Sequence, residues 1–159
     1  MAIILKNIFK PKSQKEILDR LNNLKSDSVG LWGVMTVSQM LHHLSMANQI
    51  ALGEIVLPDK SRFLSRTVFR WMTYLNMRPS VTRLKKKSLR TYKEVDIVRN
   101  KISVQDFETE KQLFIQKLNQ VISSNKFPER HPLFGSMKKN GWGRWIFVHC
   151  DYHLVQFGV

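Results

Sequence analysis

Apolar side chains recur every three or four positions along five stretches of the chain, the spacing that gives a helix one buried face. In the first stretch Ile17, Leu18, Leu21 and Leu24 share a stripe, preceded by Ser13 with Glu16 three residues on. That pairing satisfies the orphan amides of a helix start, so a helix is expected from Ser13 to somewhere between Ser26 and Gly30. Thr36 and Gln39 repeat the pairing ahead of "VSQMLHHLSMANQIAL", and Gly53 supplies a stop. A third helix is expected from Ser61, with Leu64, Val68, Trp71 and Leu75 on one stripe. A fourth is expected from Ser103, with Phe107, Phe114, Leu118, Val121 and Ile122 inward, and the last from about Asn140 to Gln156. Pro11, Pro58, Pro79, Pro128 and Pro132 punctuate these stretches.

Alternation of the strand type is weak. "RTYKEVDIV" alternates briefly within a basic connection and reads as a loop or a short strand. Four or five amphipathic helices in 159 residues predict an all-α protein. The expected architecture is an antiparallel four-helix bundle over residues 1–159, a single domain with an extra short helix or loop in its basic middle segment. With 43% hydrophobic and 24% charged residues the composition is that of a globular protein, and no run approaches the ~20 apolar residues of a membrane span. The opening "MAIILKNIFKPK" lacks a basic stretch before its apolar run and a small-residue cleavage site, so the chain reads as cytoplasmic. Cys150 is the only cysteine, which excludes a disulfide scaffold and a zinc cluster built from thiolates.

Charge sharpens the picture. The formal net charge is +14, and from Lys60 to Lys101 there are thirteen Lys and Arg against Glu94 and Asp96, or +11 of that total. The densest piece, "VTRLKKKSLRTYKEV", suits phosphates, acidic headgroups or an anionic substrate, and serves equally as a solvated basic loop. It carries no pattern of a known nucleic-acid module, which makes nucleic acid a disfavoured partner without excluding it.

Five histidines hold the candidate chemistry. His149 and His153 are four residues apart, hence ~40° apart around a helix, on the face shared by Trp142, Trp145 and Ile146. In the second helix His43 falls on the inward stripe of Thr36, Met40, Ala47 and Ile50, whereas His42 falls on the polar flank with Ser38, Ser45 and Gln49. Each inward histidine alone reads as a core residue. Together the three make a set of metal ligands with open coordination positions, fitted to a divalent Zn, Ni, Fe or Mn ion. Asp151 faces the opposite side of the helix and Cys150 points ~100° away, so neither reads as a ligand. His131, in "RHPLFG", reads as a turn residue whose ring satisfies backbone groups. Gln39, Trp142 and Trp145 are possible pocket-lining residues, with capping the first role of Gln39 and core packing that of Trp32, Trp142 and Trp145.

The stretches "LWGVMTVSQMLHHLSMANQIALGE", "HPLFGSM" and "WGRWIFVHCDYHLVQFGV" resemble a branch of the DinB-like superfamily made up mostly of uncharacterised bacterial proteins. The resemblance covers residues 31–54 and 130–159. It implies an antiparallel four-helix bundle with a divalent metal on three histidines, and the matching positions here are His43, His149 and His153. Better-studied members look like metal-dependent thiol transferases or isomerases that use low-molecular-weight bacterial thiols, and some look like hydrolases. Two features depart from the pattern. "MKKNGWG" replaces a Thr-Pro-Glu-Glu-like start of the last helix, leaving Asn140 as its expected N-cap, and the basic middle segment is this chain's own.

The function expected is that of a divalent-metal enzyme activating a thiol or water, of thiol transferase or hydrolase type, acting on a small molecule and paired as a homodimer. The rival is a non-catalytic basic helical module that binds an acidic partner or nucleic acid. Salt separates them, because binding to a polyanion weakens steeply with ionic strength while a neutral histidine site responds to pH and chelator.

Overall fold

The computed structural model describes residues 6–71 and 92–159. Four main helices, two short helical segments and a two-stranded ladder make up the ordered elements among these residues, so the all-α expectation is met. Helix α1 spans Pro11–Asn22. It begins two residues before Ser13 because Pro11 takes the first helical turn, where its missing N–H costs nothing and its φ is preset. Ser13 is buried, and Glu16 accepts from Lys6 Nζ at 2.7 Å, so the expected capping box does not form. Helix α2 spans Val37–Leu52 and starts as expected: Thr36 Oγ1 accepts from the Gln39 amide and Gln39 Oε1 from the Thr36 amide. Gly53 closes it at φ 76°, left-handed backbone that glycine adopts freely.

The third stretch departs from the regular periodicity. A π-helical segment, Ser65–Phe69, interrupts it, and the Ser65 hydroxyl both donates to the Arg62 carbonyl and accepts from its amide. Wider i to i+5 turns rotate the side chains off a 3.6-residue stripe. Leu64 and Trp71 accordingly stand 62% and 63% exposed instead of facing the core, and Leu75 lies outside the described residues. The described part of "RTYKEVDIV" is a 3-10 turn, Lys93–Val95, and not a strand. Helix α3 spans Phe107–Ser123. Asp106 and not Ser103 opens it, because its carboxylate accepts from the amides of Glu108 and Thr109.

A short antiparallel ladder follows, β1 at Arg130–His131 and β2 at Gly135–Ser136. Helix α4 spans Lys139–Gln156 with Lys138 at its N-cap position. Asn140, the expected cap, is engaged elsewhere: its Oδ1 accepts from Asn7 Nδ2 at 2.6 Å. The same N-terminal segment donates the Ile8 amide to the Gly143 carbonyl at 3.0 Å and lays Phe9 beside that glycine.

Helix α4 packs on both α1 and α2, and α2 packs on α3. Ile17 and Leu21 of α1, Met40, Leu41 and Leu44 of α2, Phe114 and Leu118 of α3, and Trp142, Ile146 and Leu154 of α4 are sealed from solvent. An ion pair between Arg20 and Asp151, 2.7 Å, ties α1 to α4 and gives Asp151 its work on the face away from the histidines. No helix among the described residues is long and apolar enough to cross a membrane.

The close approach at Gly143 is testable. Helix propensity alone favours Gly143→Ala by about 1 kcal/mol. A Cβ there, however, falls on Asn7 Oδ1 and the Phe9 ring. Gly143→Ala is therefore expected to lower stability by about 1–3 kcal/mol in urea unfolding, the cost of overpacking, and a more stable variant would contradict this packing.

Candidate metal centre

The α2–α4 contact brings His43 against His149 and His153. The i, i+4 spacing stacks the last two on one face of α4, and His43 follows Met40 by one turn on the face of α2 opposite them. The three ring centroids lie 5.0, 4.8 and 4.9 Å apart, a nearly equilateral triangle. One nitrogen from each ring falls within 4.8 Å of the others, and Nε2 of His43 is 3.0 Å from Nε2 of His149.

Removal from water sets the protonation of this cluster. Burial, countered in part by Asp96, pushes His43 down to about 4. Burial and the His43 neighbour push His153 to about 3, and burial, followed by the neighbouring imidazoles of His153, His43 and His131, holds His149 well below the usual range. All three rings are neutral at neutral pH, and each therefore keeps one nitrogen lone pair. His153 Nδ1 meets Gln156 Oε1 at 2.7 Å. His149 Nδ1 is buried with no hydrogen-bond partner, so the directed contact of that ring is at Nε2, into the triangle. Neutral nitrogens converging from two helices form the donor set that borderline divalent cations take. The 3.0 Å separation is close to the ~3.3 Å between two nitrogens that share a tetrahedral ion at ~2.0–2.1 Å.

Around the triangle the other sequence candidates sort themselves. Trp145 lies beside His149, ring centroids 5.2 Å apart, and forms a wall of the site. Trp142 is one layer back, fully buried, with its indole N–H donating to the Pro128 carbonyl. Gln39 is held in the capping box of α2. Trp32 is buried core and donates to Tyr152 Oη. His131 accepts the amides of Leu133 and Phe134 on Nδ1 at 3.0 and 3.2 Å, the turn role expected of it. Its ring stacks on Phe134 and stands edge-on to Trp145, so the His-Pro-Leu-Phe-Gly turn buttresses the side of α4 that carries His149. Cys150 is buried with its thiol pushed up to about 12 by desolvation, an inert side chain that is not among the converging groups.

Two polar residues of the region escaped the sequence reading. Glu110 of α3 is fully buried, accepts from the Gln105 amide at 2.8 Å, and sits 3.0 Å from His42 Nδ1, which occupies the polar flank of α2. Gln156 contacts His153 from within the same helix. Its signal was available in the i, i+3 spacing of "HLVQ", where a helix end brings the two side chains together.

Fold and site together define a helical protein with a buried three-histidine cluster between two of its helices. The chain belongs to the family described as protein of unknown function, DUF1569, whose family model matches residues 9–158 and so spans all four helices and all three histidines. Comparison with curated proteins and with solved structures gives no match.

The buried imidazoles predict a pH dependence. Unfolded histidines protonate near 6.5, whereas His43 stays neutral down to about 4 and His131 and His153 to about 3. The unfolded state thus binds more protons below 6.5, so the stability from neutral burial is complete above that pH and is lost as pH falls toward 4. In chelator-treated protein the urea midpoint should decline already between pH 6.5 and 5, above the main carboxylate range, and a flat profile there would contradict neutral burial.

Proposed function

We propose that this protein is a metal-dependent enzyme in which His43, His149 and His153 hold one divalent ion, Zn, Ni, Fe or Mn, to activate a low-molecular-weight thiol or water. The reaction class is thiol transfer or hydrolysis. The observation that carries this reading is the triangle itself: three neutral imidazoles with converging nitrogens, His43 and His153 buried and His149 half-buried between them. Leucine at these positions would pack without bringing polar atoms together, whereas a shared cation gives the converging nitrogens a common partner, which supports the reading.

A divalent ion, when bound, supplies a Lewis acid that lowers the pKa of a thiol or water sharing its remaining positions. The ligands are neutral, and among the described residues no carboxylate joins the cluster, so the site favours an anionic partner such as a thiolate. Trp145 and the His131 turn flank His149 with aromatic surface and shield the reacting atoms from bulk water on that side. The resemblance of residues 31–54 and 130–159 to the DinB-like superfamily supports the same three positions and the same chemistry. The excess of basic residues from Lys60 to Lys101 adds a preference for an anionic substrate.

Elemental mass spectrometry of untagged protein tests the reading. About one equivalent of a divalent metal is expected in the wild type and less than a tenth of that in each of His43→Ala, His149→Ala and His153→Ala. A wild type that stays metal-free after incubation with Zn, Ni and Mn would remove the basis for the enzyme.

A further inference from the structure

We infer that Gln156 is the positioning residue of the centre, fixing the tautomer and direction of His153, and that Gly33 lacks a side chain in order to admit it. The inference rests on the metal-site reading above and concerns this chain's own residues.

Gln156 is buried at the C-terminal end of α4 and makes two side-chain hydrogen bonds of 2.7 Å. Its Nε2 donates to the Trp32 carbonyl, an acceptor with no proton to give. The amide is therefore oriented, and Oε1 must face His153 Nδ1. An oxygen there only accepts, so Nδ1 carries the ring proton and the lone pair is placed on Nε2, the nitrogen left for a ligand bond. Imidazole ligands are oriented in this way by an acceptor on their other nitrogen, and losing that acceptor weakens metal binding about 10–100-fold.

The loop between α1 and α2 is shaped around this amide. The Leu31 amide donates to the Gln156 carbonyl at 2.6 Å, so residues 31 to 33 grip both the main chain and the side chain of Gln156. Gly33 has φ +83°, and the position its Cβ would take is filled by Gln156 Nε2. Any side chain at 33 displaces the amide that orients His153. A loop more than a hundred residues away in sequence thus reaches the cluster through one side chain.

Co2+ titration of chelator-treated protein, read by the visible absorption of the bound ion, separates this role from simple anchoring of the helix end. Gln156→Met removes the acceptor at similar volume and should weaken Co2+ binding 10–100-fold with an altered absorption band. Gly33→Ala keeps Gln156 but moves it, and should weaken binding in the same direction. Gln156→Glu keeps an oxygen against Nδ1 but sets its other oxygen against the Trp32 carbonyl, so it should lose some affinity yet bind Co2+ several-fold more tightly than Gln156→Met. Far-UV circular dichroism of each metal-free variant confirms that it is folded. Wild-type affinity in Gln156→Met, or equal loss in Gln156→Glu and Gln156→Met, would overturn the positioning role while leaving the three-histidine site standing. A wild type that binds no Co2+ would overturn the site and the inference together.

Discussion

Keeping three imidazoles neutral and dry between α2 and α4 is the constraint on which the rest of the structure turns. An imidazole in a core is tolerated only if each nitrogen finds a partner or the ring stays uncharged. Here burial enforces the uncharged form, with His43 held near 4 and His153 near 3. The same desolvation that makes the cluster costly for an isolated chain makes it a set of ready lone pairs. Stability and ligand capacity are therefore two readings of a single term in the energetics, the exclusion of water from the α2–α4 seam.

Much of the surrounding architecture serves to hold α4 in place against α2. On its far side the Arg20–Asp151 ion pair fixes it to α1. At its start, Asn7 and Ile8 bond to Asn140 and Gly143, and the close approach of this segment requires glycine at 143. Along its first half the His131 ring packs against Trp142 and Trp145 of the helix. At its end the loop through Trp32 and Gly33 holds Gln156. Four separate segments thus converge on one helix, which fixes the direction in which His149 and His153 face His43.

The triangle was legible in the sequence because helical spacing is rigid: once α2 and α4 are recognised, the positions of His43, His149 and His153 around each axis follow. The turn role of His131 was legible for a related reason, since its partners lie two and three residues on. Helix starts were less legible because caps are settled by tertiary partners. Asn140 is drawn away by Asn7, Asp106 outcompetes Ser103, and Pro11 sets the start of α1 ahead of Ser13. Local side-chain bonds from Ser65 and Thr67 to the backbone accompany the π turn that carries Leu64 and Trp71 away from the core, which periodicity at 3.6 residues could not register. Glu110 was missed because it looks like a solvated polar residue until its distant partner His42 is seen, and Gln156 because its spacing to His153 carries weight only once Trp32 is seen to orient the amide.

X-ray absorption at the Zn edge, on protein reconstituted with one equivalent of Zn, bears most directly on the idea that these three rings form a metal centre. Three imidazole nitrogens at ~2.0–2.1 Å, with no sulfur in the coordination shell, is the expected result. A shell containing sulfur at ~2.3 Å, which would require Cys150, or one of oxygens alone and unaltered in His149→Ala, would contradict it.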